Sequence, residues 1–255
     1  IKAHRHDWVL ATKLGNKMSE RVNESHYSRA WMLRELESSL RRLQTDHVDI
    51  YYLHRDSAGM NLEEPLRALD DMIRSGKVRY WGVSNFRAWR IAEMVHLAAR
   101  IGMPGPVVCQ PYYNLLNRMP EVEILPACVH HGIGVVPYSP VARGVLTGKY
   151  APGQPAPAGT RAGRVDKRIG ETEFREESLQ IAQTLKSHAE ARGVTLAQFA
   201  TAWVLAHQAV SSVIAGPRTL AQWQDYRPAL DYRFTAEDEA LVDALVRPGH
   251  PSTPG

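Results

Sequence analysis

The sequence has 255 residues, enough for one large domain or two small ones, and a single α/β barrel of about 250 residues fits that length. Apolar residues make up 44% and charged residues 23%, an ordinary globular balance; no apolar run nears the ~18 residues of a membrane span, and no signal-peptide pattern is present. The net charge of +4, from 31 Lys and Arg against 27 Asp and Glu, is scattered over helix faces, which argues against a nucleic-acid partner and for mild attraction of anionic ligands such as a phosphorylated cofactor.

Strand and helix signals alternate along the chain. Trp8 to Leu14 reads as a short apolar strand. Ser28 is placed to cap a helix whose Leu33, Leu36, Leu40 and Leu43 share one face. Val48 to Leu53 is almost wholly apolar, as a strand covered on both faces should be. A helix follows with Asn61 at its cap, Glu64 completing a capping-box variant, a stripe of Leu62, Leu66, Leu69 and Ile73, and a stop at Gly76. Val78 to Val83 is the third strand, and Ile91, Val95 and Ala98 mark a helix ended by Gly102. Val107 to Gln110 is the fourth strand, followed by a shorter helix through Ile124 to Val129 that ends at Gly132.

Ile133 to Pro137 is the fifth strand. The Pro/Gly-rich stretch 151–170 is long for a connector and is expected to be a lid or ligand loop. Helices are expected over Glu173 to Arg192 and over Leu196 to His207, the second with Thr195 and Gln198 as a capping box. Val210 to Ala215 is the sixth strand, and Thr235 opens a last helix carrying Leu241, Val242 and Leu245. The alternation implies parallel βαβ units with right-handed crossovers, and an open doubly wound sheet satisfies it as well as a barrel does.

In both architectures ligands meet the C-terminal ends of strands. Those ends carry Lys13, His54, Ser84-Asn85, Gln110, Tyr138-Ser139-Pro140 and Gly216-Pro217-Arg218, a recurrence of polar residues beyond ordinary loop polarity. Tyr112, Tyr113 and Asn114, just past a strand end, are candidates to line a pocket. Trp31, Trp89, Trp203 and Trp223 are expected to pack, and His130-His131 to sit solvated at a helix end. Cys109 and Cys128 lack metal-ligand spacing and are expected to be buried thiols in a reducing cytoplasm; no metal site is expected.

Several segments resemble the aldo-keto reductase family, in family order and with family spacing over nearly the whole chain. They are Ala11-Thr12-Lys13, Tyr52-Leu53-His54-Arg55, the run from Gly76 to Phe86, Gln110-Pro111-Tyr112-Tyr113-Asn114, Tyr138-Ser139-Pro140 with Gly144, Leu146 and Gly148-Lys149-Tyr150, and Gly216 with Arg218 and Gln222. The resemblance implies a (β/α)8 TIM barrel, a single domain over residues 1–255 that represents about six of the eight βα units. The first two units, with an Asp and the Tyr that donates a proton to the substrate carbonyl, are expected ahead of Ile1. Lys13 and His54 match the other two members of that catalytic tetrad.

Carbonyl reduction by hydride transfer leaves an alkoxide, so the site needs an acid and oriented donors around one oxygen. A tyrosine of pKa near ~10 is a poor acid at neutral pH, and a neighbouring Lys⁺ eases its proton release. The resemblance further implies NADP(H) as cofactor. Ser84, Asn85 and Gln110 would hold the nicotinamide carboxamide, and Tyr138 would stack on the nicotinamide. Ser139, Pro140, Val141, Arg143, Gly144 and Leu146, with Lys149, would wrap the pyrophosphate, and Arg161 would close over it. Gly216, Arg218, Gln222, Asp225 and Tyr226 match the adenosine end, where Arg218 is the natural partner of a 2′-phosphate. Backbone amides of a helix beginning near Thr219 would add an anion site. Two departures stand out: Pro217 replaces a small residue, and Tyr226 replaces the Asn that usually contacts adenine.

The expectation is an NADPH-dependent, cytoplasmic reductase of a small aldehyde or ketone, without a nucleic-acid or membrane partner, its oligomeric state (a homo-oligomer included) open. The alternative is a cofactor-binding regulatory subunit of the potassium-channel β type.

Overall fold

The computed structural model describes residues 2–251 except 19, 20, 22, 23, 25, 58 and 165. The chain divides into two compact units, residues 1–110 with 127–134, and residues 111–126 with 135–255.

The first unit is built on parallel strands in sequential order: β1 (Ala11–Leu14), β2 (Val48–Leu53), β3 (Val78–Ser84) and β4 (Val108–Gln110). Gly134, the first residue of β5 (Gly134–Val135), continues the sheet by donating its N–H to the Val107 carbonyl at 3.0 Å. Helices α1 (Arg29–Leu43), α2 (Glu63–Arg74) and α3 (Ala88–Ile101) make the crossovers, and α4 (Ile124–His130) follows β4 in the chain. Tyr51, Leu53, Trp81 and Val83 from the strands pack with Met32, Leu36, Leu66, Leu69, Ile91 and Met94 from the helices, all essentially excluded from water. Burial of this kind stabilises by roughly 25 cal/mol per Å² of apolar surface and drives the unit's assembly. Cys109 and Cys128 are free and buried within this core, as expected.

Local signals fix the helix ends. The Ser28 hydroxyl accepts from Trp31 N–H, capping α1 as the sequence indicates. Gly102 adopts φ +74 and closes α3 in a left-handed turn that costs a glycine nothing. The cap of α2 differs from the expectation. Asn61 Oδ1 takes the Glu63 N–H at 2.9 Å, so the turn closes one residue later and Leu62 is the cap residue, while Glu64 accepts from the Arg29 N–H. Ile73 is only half-buried, and Met72 fills its place in the stripe.

In the second unit, Val135 bridges Val210 and Tyr138 bridges both Tyr112 and Ile214, all in parallel sense. The expected sixth strand over Val210 to Ala215 is therefore reduced to bridges at Val210 and Ile214. Helices α6 (Glu176–Ala191) and α7 (Leu196–Ala206) bury Leu179, Leu185, Phe199 and Val204. Thr195 and Gln198 form the expected capping box on α7, and Thr235 with Asp238 forms another on α9 (Ala236–Leu245). The stretch 151–170 is not featureless: it contains a short 3₁₀ turn, Ala162–Arg164, and the one-turn α5 (Lys167–Gly170), capped by Asp166. No helix among the described residues is long and apolar enough to cross a membrane, and no group of three His, Cys, Asp or Glu is placed to hold a metal ion.

Candidate functional site

Parallel pairing places the C-terminal ends of β1 to β4 along one edge of the first unit. Lys13 is in register with Tyr52, Tyr52 with Gly82, and Gly82 with Val108; Ser84 is in register with Gln110. His54 follows β2 directly and donates its N–H to the Leu14 carbonyl at 2.8 Å. The five expected residues of this unit, Lys13, His54, Ser84, Asn85 and Gln110, thus occupy consecutive strand ends.

Hydrogen bonds lock this edge. The Ser84 hydroxyl donates to the Gln110 carbonyl at 2.8 Å. Asn85 Nδ2 donates to the His54 carbonyl at 2.9 Å and to Ser84 Oγ at 3.0 Å, from a backbone with φ +59 that Asn tolerates better than most residues. Asn16 Nδ2 lies 3.0 Å from His54 Nδ1; with Asn16 as donor, the neutral imidazole carries its proton on Nε2.

Lys13 is half-buried, and burial holds its ammonium below the usual lysine range. Its Nζ lies 5.2 Å from the centroid of the Tyr52 ring, a cation–π contact that steadies the charge where water is partly excluded. Burial pushes the Tyr52 phenol up, opposed by a hydrogen bond with the Gln110 side chain. Tyr52 therefore links Lys13 to Gln110. It stands in a quoted motif, yet its supporting role was missed; counting back two residues from His54 in a strand was the available signal.

The second unit carries the remaining candidates. Tyr138 is half-buried, and its ring lies 5.3 Å from that of Tyr112 at 30°. From Ser139 to Gly144 the backbone visits the left-handed region four times, at Ser139 (φ +59), Ala142 (+46), Arg143 (+53) and Gly144 (+102). Three are not glycine, a strain that persists only where surrounding contacts enforce it and that commonly marks a ligand site. Asn114 supplies one such contact by donating Nδ2 to the Ser139 carbonyl at 3.2 Å. A Cβ on Gly144 would come within 3.0 Å of Lys149 Nζ, so the bare glycine lets that ammonium approach the turn. Pro140, Val141 and Leu146 hold the same segment, with Leu146 fully buried. A strained turn with two cations, Arg143 and Lys149, is a donor set suited to phosphate oxygens.

Other candidates stand less directly. Arg161 is exposed and faces Asp166 at 3.8 Å. The Tyr138–Ile214 bridge brings Tyr138 within two residues of Gly216 in the paired segment, and both Gly216 and Arg218 are exposed. Gln222 Oε1 accepts from the Arg218 N–H at 2.6 Å, and Asp225 Oδ1 accepts from Thr195 Oγ1 and Gln198 Nε2. Tyr226 is half-buried, and burial raises its phenol. The helix expected after Thr219 is α8 (Leu220–Tyr226), and the Thr219 hydroxyl takes its Gln222 N–H.

Two expectations are corrected. Tyr113 is a core residue, packed 5.1 Å from Trp203 with its hydroxyl donating to Glu121, and Asn114 is fully buried in loop bonding, which leaves Tyr112 as the half-buried member of the trio. Trp31 and Trp203 are buried as expected, but Trp89 and Trp223 are 60% and 52% exposed and do not pack into a core. A concavity of the first unit, about 750 Å³, is lined by Thr45, Asp46 and Lys77 at the opposite, N-terminal ends of the strands, with Lys77 paired to Glu37.

This fold and row of residues define a class. The chain belongs to the aldo/keto reductase family, which it matches over residues 1–247 and whose fold is the (β/α)8 barrel. It is 39% identical over 249 residues to a probable voltage-gated potassium channel subunit beta of Oryza sativa subsp. japonica, covering 95% of this chain and 75% of that one. It is 32% identical over 250 residues to L-glyceraldehyde 3-phosphate reductase of Escherichia coli (strain K12), covering 97% and 72%. Versiconal hemiacetal acetate reductase of Aspergillus parasiticus is 31% identical over 241 residues, covering 90% and 69%. The relatives thus include oxidoreductases and proteins named as channel subunits.

Proposed function

We propose that the protein is an NADPH-dependent oxidoreductase that reduces an aldehyde or ketone to the alcohol. The observation that carries this reading is the row of Lys13, His54, Ser84, Asn85 and Gln110 on the consecutive ends of β1 to β4. The reduced nicotinamide supplies a hydride to the carbonyl carbon. Lys13, partly desolvated, stabilises negative charge on the neighbouring oxygens and eases proton release from the tyrosine acid that the family resemblance implies. His54 would lie beside the carbonyl oxygen and help fix its direction. Ser84, Asn85 and Gln110 would hold the carboxamide, and Tyr138 would cover one nicotinamide face.

Arg143 and Lys149, with the Ser139–Gly144 backbone, would hold the pyrophosphate, and Arg218 the 2′-phosphate; Gly216, Gln222, Asp225 and Tyr226 would flank the adenosine, and Arg161 would reach the phosphates from its loop. The name of the bacterial relative, L-glyceraldehyde 3-phosphate reductase, makes small polar aldehydes the first substrates to assay. The test is NADPH oxidation followed by absorbance with such a panel, alongside Lys13→Met. Aldehyde-dependent oxidation that Lys13→Met abolishes supports the reading; oxidation that survives the change would refute it.

The identity to named channel β-subunits favours a second reading, a cofactor-binding subunit that seldom turns over. NADPH that binds tightly and stays reduced in the presence of every aldehyde would select it.

A further inference from the structure

One buried acid has no part in the reading above. Glu173 is fully excluded from solvent, in the segment between α5 and α6. Its Oε2 accepts from the Thr172 hydroxyl and lies 3.3 Å from Arg143 Nε, while Oε1 has no hydrogen-bond partner among the described residues. Arg143 Nε also approaches Thr172 Oγ1 at 3.3 Å. The guanidinium then lies 5.2 Å from the Tyr112 ring centroid, and Tyr112 packs on Tyr138.

The same unit shows what a structural ion pair looks like. Arg118 grips Glu121 with a two-point fork at 2.8 and 2.9 Å. Glu173 has no such fork and meets Arg143 through Nε alone. A carboxylate left with one oxygen unpaired in a dry site is costly. That cost falls if the group is neutral and acts as an orienting contact.

We infer that Glu173 is a positioning residue for binding of the dinucleotide phosphates, its buried carboxyl holding Arg143 beneath the Tyr112–Tyr138 pair and controlling how much of that guanidinium's charge an anion can use. The inference rests on Arg143 contacting the pyrophosphate, as proposed above. Burial pushes the Glu173 carboxyl up to about 8, opposed by a backbone hydrogen bond and by the Arg175 charge. Arg143 and Arg175 are the charges that face Glu173; Tyr138, Arg168 and Asp166 act in turn on Arg143. Below about pH 8 the acid is neutral and Arg143 keeps its charge for a phosphate. Above it the carboxylate forms, offsets that charge and repels the anion. Anion affinity therefore falls as pH rises through the Glu173 titration, and binding at mildly alkaline pH takes up a proton.

The test measures dissociation constants for NADPH, by protein fluorescence, and for inorganic pyrophosphate, by calorimetry, from about pH 6.5 to about pH 9.5. A single negative charge at this range in a partly dry site predicts a loss of roughly tenfold across the titration. Glu173→Gln should bind both probes with no such break and outperform the wild type at the alkaline end. Glu173→Leu, which removes the contact to Arg143, should bind more weakly than Glu173→Gln at every pH. If the leucine variant fails to fold, the glutamine variant still decides. Pyrophosphate binding with the break, and without it in Glu173→Gln, supports the inference even if NADPH does not bind; that outcome removes the proposed cofactor alone. No break with either probe, the same break in Glu173→Gln, or no binding of either probe would overturn it.

Discussion

Gly82 offers a direct probe of how the β1–β4 edge is built. It lies in the middle of β3, in register with Tyr52 on one side and Val108 on the other. A Cβ there would stand 2.5 Å from both Val108 Cγ1 and the Val108 carbonyl oxygen, and 3.0 Å from Tyr52 Cε1. The valine methyl can rotate away, but the carbonyl belongs to the backbone of β4, so relief requires moving that strand. Overpacking of this kind costs about 1–3 kcal/mol, and the backbone clash puts Gly82→Ala near the top, at about 3 kcal/mol. For a chain of this size ~2 °C of melting temperature accompanies each kcal/mol, so a fall of about 6 °C is expected. Because Tyr52 underlies Lys13 and bonds Gln110, the displaced ring should also weaken NADPH binding several-fold. Gly105→Ala is the control: nothing lies within 4 Å of its Cβ, and its melting point should be unchanged. Melting curves and fluorescence titrations check both variants. A Gly82→Ala protein that melts with the wild type would show that the glycine does not set the β3–β4 spacing.

Lys13→Met should lower the turnover of carbonyl reduction by two to four orders of magnitude, about what a positioned acid–base group contributes, with NADPH affinity nearly intact by titration. Arg218→Ala should weaken NADPH by roughly 10–100-fold, the worth of a charge-assisted hydrogen bond, and NADH by little; equal losses would remove Arg218 from 2′-phosphate recognition. Burial pushes Asp238 up, but hydrogen bonds from His188, Thr235 and Tyr232 prevail and hold its carboxyl at about 2. Its folded value is thus depressed, so its contribution to stability is present above the ordinary aspartate value and disappears as pH falls through about 2. Melting points of the wild type should drop between about pH 4 and pH 2 more steeply than those of Asp238→Ala, and the variant should be less stable by roughly 2–4 kcal/mol at neutral pH.

Much of the fold could be read because its signals are local. The Thr195/Gln198 box and the Ser28 cap each act within three residues, and both form as written. The strands of the first unit were legible from continuous apolar runs, and their polar ends from the same boundaries. What failed depended on partners far along the chain. Trp8 and Val9 are apolar but 57% and 75% exposed, because pairing with β2 begins only at Ala11 opposite Ile50. Val210 to Ala215 has strand composition, yet only two of its residues find bridging partners. Tyr112 and Tyr113 are neighbours of one residue type with opposite fates, one half-buried against Tyr138, the other sealed on Trp203. Composition cannot separate them, since the face each meets is supplied by residues 26 and 90 positions away. Glu173 was invisible for the same reason: its meaning comes from Arg143, thirty residues earlier.

The two sets of candidate residues are held by different physics, and this predicts different responses to change. Lys13, His54, Ser84, Asn85 and Gln110 follow strand register, so their spacing is fixed by backbone pairing among four strands. Disturbing that register moves them as a group and costs stability at once, which is why a buried glycine between Tyr52 and Val108 matters to chemistry. Ser139 to Lys149 instead follow a strained turn, kept in left-handed conformations by side-chain contacts such as Asn114 to the Ser139 carbonyl. Loss of such a contact lets the turn relax toward ordinary backbone, a change that reduces strain and so need not lower the melting point by much. Asn114→Ala removes one bond to Ser139 and one to the Leu116 N–H, so its effect on NADPH affinity should exceed its effect on stability. The ratio of the two effects, large here and near unity for Gly82→Ala, separates a preorganised ligand turn from a structural one.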